Sequence, residues 1–360
     1  MKLTIWLATA AAFLATASAP LPAAAMASVE IKRTELAPGI YQFTVAIDGY
    51  VEQLNSIAVV NDSDVLVFDT TTRPSTARTI LAELRKITAK PVRYVVNSHW
   101  HPDHWSGNQV FAEASPGLEI IATEKERDFM LNMSAMWPVL LPKSLEGQEK
   151  SVAEQFASSK RPDGSPLTPQ LKQQIEGELQ QIRDMVAEQR NVRRTYPTLT
   201  YTDRLIMRHG GREFHFISVT GDAAATTVLY LPRERILITG DAVSYPLPYY
   251  TPPLSQHAAS LRELAKLDAA IIVPGHGPAF RDKAYMLLEA ELFEDVLRQV
   301  ETALRAGAVS IDEVQAKVNF DAFRDRFAKG DPDIAGQFPS FTSGMVRKVY
   351  IELRDSKEIR

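Results

Sequence analysis

The 360-residue chain contains no cysteine. That absence excludes disulfides, thiolate metal ligands and a cysteine nucleophile, so stability has to come from an apolar core and from any bound metal. An excess of positive charge is missing too. Forty Lys and Arg stand against 44 Asp and Glu, a net charge of −4, and no nucleic-acid partner is expected. No nucleophile-elbow serine with histidine and acid partners is evident. Histidine is scarce, with seven in the chain, and three of them crowd into one stretch. What is plentiful is apolar material: 45% hydrophobic residues against 23% charged allow a full core.

The crowded stretch is Val95-Val96-Asn97-Ser98-His99-Trp100-His101-Pro102-Asp103-His104. Its apolar start reads as a buried strand. Its end carries His99, His101, Asp103 and His104, and Pro102 is expected to keep a helix from running through the cluster. Neutral imidazoles and a carboxylate suit zinc and other divalent first-row metals. His99 and His101, two apart on an extended segment, point the same way. Asp103 and His104 aim at a second point, so one loop is able to serve two ions.

Residues 1–27 read as a secretory signal peptide: Lys2, then the apolar run Ile5 to Ala17, too short to span a membrane, then small residues. A cut after Ala25 or Ala27 is expected, with an uncleaved anchor as the alternative. The expectation is a periplasmic or secreted protein with no stable membrane span after cleavage. Short alternating segments follow, Ile40 to Val45, Ser56 to Val60 and Val65 to Thr70, and then an amphipathic helix from Pro74 to Lys90. Gly117 to Ala122 is a further strand. Residues 128–198 read as an insertion that is helical at both ends, with a long helix from Thr168 to Gln189. Its Met130, Met133, Met136 and Trp137 are more readily core than substrate wall. Strands resume at Arg204 to Arg208 and Glu213 to Val219, followed by a hairpin of Val228 to Leu231 with Arg235 to Thr239. Ser260 to Leu267 is a helix and Ile271 to Val273 the last strand. Helices then cover Lys283 to Ala306, Ser310 to Val318 and Ser343 to Arg354.

Three more polar residues are read as sitting just past strand ends, each after a glycine: Asp222 after Gly221, Asp241 after Gly240 and His276 after Gly275. Glycine lets the backbone turn sharply there and face each side chain into a shared cleft.

The His-x-His-x-Asp-His loop with these three residues downstream resembles the metallo-β-lactamase superfamily, in its exported, glyoxalase II-like branch. The resemblance implies an α/β fold, an αββα sandwich over residues 28–282, with the helical insertion at 128–198 and a helical C-terminal segment at 283–360. It implies that His99 and His101 belong to a first metal site. Asp103, His104 and His276 belong to a second, Asp241 bridges them, and Asp69 orients the loop through hydrogen bonds. One or two zinc ions are implied. One position departs from the family pattern. Asp222 stands where the family usually has histidine, which adds negative charge and tilts preference toward manganese or iron(II). Failing Asp222, His215 and His209 are the nearest substitutes.

The function so implied is a metal-dependent hydrolase of a small-molecule substrate, in which a metal-bound hydroxide cleaves an ester, thioester, lactone or amide bond. Asp103 is the candidate catalytic residue, orienting the attacking group or handing a proton to the leaving group. The alternatives are a β-lactamase-like enzyme, or a catalytically silent metal-binding protein with a sensing or binding role. Trp100, Trp105, Tyr245, Tyr249 and Tyr250 flank these residues and either line a pocket or pack in loops. His257 reads as a surface histidine. Oligomeric state is left open.

Overall fold

The computed structural model describes residues 30–46, 53–133, 136–160, 166–251 and 253–358. The signal-peptide reading of residues 1–27 lies outside them. Among the described residues no helix is long and apolar enough to cross a membrane. The chain divides into two compact units, one of Met1–Ile120 with Arg127–Thr198 and one of Ile121–Glu126 with Leu199–Arg360.

In the first unit, β1 (Glu30–Ala37), β2 (Ile40–Ala46), β3 (Leu54–Val60) and β4 (Val65–Phe68) pair antiparallel in chain order. Helix α1 (Pro74–Ile87) then carries the chain across so that β5 (Val92–Val96) lies parallel to β4. All four residues of β4 are apolar and buried, as expected of a strand covered on both faces. Ala77, Ile80 and Leu84, spaced at three and four along α1, lie in one core with Val65, Val67, Val92 and Val95. After β5 come α2 (Pro102–Trp105) and α3 (Asn108–Ala114). Pro102 does not keep a helix out, as the sequence suggested. It opens one, because the first helical position has no use for an N–H and suits the fixed φ of proline. Asp103 and His104 therefore ride on a helical turn.

The insertion is more helical than expected: α4 (Glu124–Met133), α5 (Trp137–Ser158) and α6 (Pro169–Gln189). Pro142 and a polar composition hide α5 in the sequence, yet Leu145, Val152 and Phe156 recur at helical spacing. They pack with Leu167, Leu171, Ile175 and Leu179 into a small core of the insertion's own. Thr168 caps α6, its hydroxyl accepting the Leu171 N–H at 3.2 Å.

The second unit takes Ile121–Thr123 of β6 (Glu119–Thr123), which pair parallel with β7 (Leu199–Tyr201). It also holds a mixed sheet of β8 (Arg204–His209), β9 (Arg212–Val219), β10 (Thr226–Leu231), β11 (Ile236–Ser244) and β12 (Ile271–His276). The first four pair antiparallel. Helix α7 (Leu254–Leu264) crosses to β12, parallel to β11. The C-terminal helices α8 (Ala284–Arg305), α9 (Ile311–Gln315), α10 (Asp321–Ala328) and α11 (Pro332–Glu358) share one core with these strands: Val243 and Ile272 pack in a cluster with Phe293, Val314, Phe327 and Met345. Helix α10 was not expected, and α11 begins eleven residues before Ser343. Pro339 disguises it, but Ile334, Phe338, Met345, Val346 and Val349 form a helical stripe that is buried.

Asp241 and His276 are not past their strands but inside them. The register of β11 on β12 shifts on both sides of Gly240, which sits at φ 50°, and the bulge re-aims the following residues. Gly275 serves closeness rather than turning. A Cβ there would lie 1.9 Å from Asp241 Oδ1.

Helix α1 has no side-chain cap of its own at Arg73. Glu188 of α6 supplies it from outside, accepting the Ser75 N–H at 2.6 Å, the Ser75 hydroxyl at 2.8 Å and Arg73 Nε at 2.9 Å. Burial raises the Glu188 carboxyl, but Arg73 and Ser75 more than reverse that and hold it below its ordinary value. Glu188→Ala is therefore expected to cost about 1–3 kcal/mol at neutral pH, measured by denaturant unfolding. A carboxyl lowered on folding stabilises above its unfolded pKa and ceases to as pH falls through its folded one. The gap between wild type and variant should shrink on acidification, and a gap indifferent to pH contradicts the clasp.

Candidate metal centre

In the first unit everything turns on Asp69. It follows β4 at a φ of 58°, a left-handed conformation that aspartate tolerates better than most residues. Its N–H donates to Val96 O at 2.8 Å, and its carbonyl accepts the Ser56 hydroxyl at 2.6 Å, so the backbone is held on both sides. Its carboxylate reaches under the histidine loop. Oδ1 accepts the Ser98 N–H at 2.7 Å, and Oδ2 accepts the Ser98 hydroxyl and His104 Nδ1, each at 2.7 Å. Burial pushes the Asp69 carboxyl up, while His104 and Ser98 pull it back down.

These bonds fix two tautomers. His104 gives its Nδ1 proton to Asp69, so its Nε2 carries a lone pair. Ser98 has already spent its proton on Asp69, so its oxygen accepts His99 Nδ1 at 3.0 Å, and His99 Nε2 carries a lone pair as well. His104 Nε2 then lies 3.2 Å from Asp103 Oδ2, two acceptors facing each other as they would across a cation. His99 Nε2 and His101 Nδ1 stand 2.8 Å apart, a separation bridged by a proton or an ion. From behind, the His104 carbonyl accepts the Thr70 N–H at 2.9 Å and Asn97 Nδ2 at 3.1 Å. Asp103 is the accessible member, its side chain 29% exposed beside a fully buried His104.

In the second unit Asp241 and His276, both buried, approach to 3.5 Å between Oδ2 and Nε2. The Asp222 N–H donates to Asp241 O at 3.3 Å, which ties the two aspartates through the backbone. Thr251 Oγ1 donates to Asp222 Oδ1 at 3.3 Å, and the Tyr249 ring meets His276 edge-on at 5.2 Å. Among the described residues, His99, His101, Asp103 and His104 of the first unit, and Asp222, Asp241 and His276 of the second, each offer a ligand atom of the kind that holds a metal ion. The donor chemistry fits divalent zinc, manganese or iron(II), with Asp222 the carboxylate that favours the harder ions. His215 is engaged elsewhere, 2.5 Å from Glu213.

His257 is not a surface residue. It is fully buried on α7, and its Nε2–H donates to Ala242 O at 2.9 Å, steadying the backbone next to Asp241. Burial lowers its pKa, opposed by the Ala242 bond and the Asp222 charge. Glu289 of α8 was invisible in the sequence. Buried, it accepts the Ser244 N–H at 3.1 Å, and burial, with the Asp241 charge adding to it, pushes its carboxyl well above the ordinary value. Lys348 of α11 was missed as well. Burial brings its ammonium down to about 7, and the Asp222 charge works the other way. Neither residue stands in a local pattern, so only the packing reveals them.

The flanking aromatics divide. Trp105 and Tyr250 are buried, and Trp105 Nε1 donates to Trp100 O at 2.8 Å. Trp100 remains partly exposed beside His101, at 4.5 Å, stacked on Trp137 at 5.8 Å and near Phe129 at 6.1 Å. Trp137 thus belongs to an apolar face at the loop, which the sequence had weighted toward core.

The family model of the metallo-β-lactamase superfamily matches residues 49–276. A linear primary-alkylsulfatase from Pseudomonas sp. (strain ATCC 19151) is 28% identical over 256 residues, 67% of this chain and 43% of that protein. Among solved structures, a metallo-β-lactamase from Pontibacter korlensis aligns over 74% of this chain and all of its own, with 16% identity and a TM-score of 0.53. A stereoselective inverting sec-alkylsulfatase from Pseudomonas sp. aligns over 81% of this chain and 45% of its own, with 17% identity and a TM-score of 0.56. The chain therefore spans under half the length of either alkylsulfatase.

Asp69→Asn replaces an acceptor with an N–H donor and removes the reason for His104 to keep its proton on Nδ1. Metal affinity is expected to fall about 10–100-fold with the fold retained, as read by titration of zinc into the metal-free chain and by circular dichroism. Unchanged affinity in the folded variant contradicts the assignment of Asp69.

Proposed function

The chain belongs to the metallo-β-lactamase superfamily, and on that footing we propose that it is a metal-dependent hydrolase acting on an ester-type bond, with alkyl sulfate monoesters the best-supported substrate class. The observation that carries hydrolysis is the Asp69 network, which presents Nε2 lone pairs of His99 and His104 beside Asp103. We assign His99, His101, Asp222 and Asp241 to one ion and Asp103, His104, Asp241 and His276 to the other. Bound divalent ions supply Lewis acidity and a water acidified toward neutrality. Asp103, the most accessible carboxylate of the set, orients the attacking water and passes its proton to the leaving oxygen. Asp69, Ser98 and the Thr70 and Asn97 donors to His104 O hold the loop rigid while this happens.

Two features support the sulfate ester. One is the similarity to the linear primary-alkylsulfatase. The other is the Trp100–Trp137–Phe129 face beside His101, which suits an alkyl tail better than a polar acyl group. Export to the periplasm or beyond the cell is part of the same proposal and rests on residues 1–27. The partner in this reading is a small-molecule substrate. Asp222 favours one competing reading, a metal-binding protein without turnover, because a carboxylate there weakens the Lewis acidity of its ion.

The test is a panel of butyl to dodecyl sulfates beside a carboxylic ester, a thioester and a β-lactam. The expected result is sulfate release that chelation abolishes and zinc or manganese restores, with Asp103→Asn lowering kcat by about a hundredfold. Trp137→Ala should raise KM for dodecyl sulfate by about tenfold and hardly alter butyl sulfate. Turnover of the thioester or β-lactam alone overturns the substrate class. Metal binding with no turnover at all favours the silent reading.

A further inference from the structure

Asp222 takes one unit of positive charge from the centre compared with a histidine, which weakens its pull on an anionic substrate. Helix α11 brings a lysine to Tyr250, the residue before the Thr251 that bonds Asp222. Lys348, half-buried, donates from Nζ to Tyr250 O at 3.3 Å, and its ammonium lies 4.5 Å from the centre of the Tyr250 ring. The next residue, Thr251, holds Asp222 Oδ1, and the one before, Tyr249, meets His276. Three consecutive residues therefore link Lys348 to two of the metal donors. Tyr250 fixes this strap to α11, with its ring 5.6 Å from Phe341 and its hydroxyl donating to Phe341 O at 3.5 Å. Helix α11 itself is anchored by Met345, Val346 and Val349 in the core. A lysine stem held on an aromatic face by a rigid helix puts its charge in one place rather than in a solvated cloud.

We propose that Lys348 is a substrate-binding residue whose ammonium receives the anionic head of a sulfate monoester on the Asp222 side of the centre. The inference rests on the hydrolase reading of the same site and deepens it. The C-terminal helix then belongs to the active site and supplies the charge that Asp222 removes.

The test uses the metal-loaded full chain with Lys348→Met, which keeps an unbranched stem and loses the charge, and Lys348→Arg, which keeps the charge. Inorganic sulfate binding is measured by calorimetry at fixed pH and ionic strength, beside KM and kcat for decyl sulfate and for p-nitrophenyl acetate as a neutral ester. In the methionine variant, sulfate affinity should fall about tenfold and KM for decyl sulfate rise to match, with kcat and the neutral ester little changed. Arginine should recover most of both. Unchanged sulfate affinity in the methionine variant overturns the proposal, and so does an equal loss on both esters together with a lowered Tm. If the wild type hydrolyses no sulfate ester, that substrate reading fails by itself. The calorimetry then decides on Lys348: charge-dependent sulfate binding upholds the anion site, and charge-independent binding or none rejects it.

Discussion

A single buried carboxylate, Asp69, holds the histidine loop in its working state. It accepts three hydrogen bonds and thereby orients Ser98, sets the tautomer of His104 directly and sets that of His99 through the Ser98 hydroxyl. The geometry needs a carboxylate rather than an amide, because every contact it makes is as an acceptor. It also needs the left-handed turn at Asp69, without which the side chain would not reach beneath the loop. Strand pairing of β4 with β5 places that turn next to Ser98, so the fold and the tautomers are one problem solved together.

The second unit solves a different problem, that of bringing a carboxylate and an imidazole close together in a buried place. Asp241 and His276 come from neighbouring parallel strands, and their closeness depends on a bulge at Gly240 and on the missing side chain of Gly275. Helices then brace the bulged strand from behind, α7 through His257 to Ala242 O and α8 through Glu289 to Ser244 N. Both braces are side chain to backbone, which fixes the strand's path, and neither uses the Asp241 side chain. The apolar cluster that packs these helices is thus part of what positions the site.

Much of this was legible in the sequence because it is local. The His-x-His-x-Asp-His run, the β-branched strands and the stripe of α1 each declare themselves within a dozen residues. The family resemblance named seven candidate donors, Asp222 among them. What stayed hidden depends on contacts far along the chain. A bulge leaves no mark in an apolar run, so Asp241 and His276 were read as lying beyond their strands. Proline obscured α5 and the start of α11, and at Pro102 it was read as a stop where it acts as a start. His257, Glu289 and Lys348 carry no motif, and their burial against β11 and Tyr250 is a property of the packed unit alone.

The most direct measurement is the tautomeric state of His99 and His104 by long-range 1H–15N correlation spectroscopy on the folded chain. If Asp69 governs the loop, both imidazoles carry their proton on Nδ1 and leave Nε2 to the metal. A spectrum with His104 protonated on Nε2 would contradict the central role given to Asp69, because the lone pair would then sit on Nδ1, facing the Asp69 carboxylate at 2.7 Å, and not on Nε2.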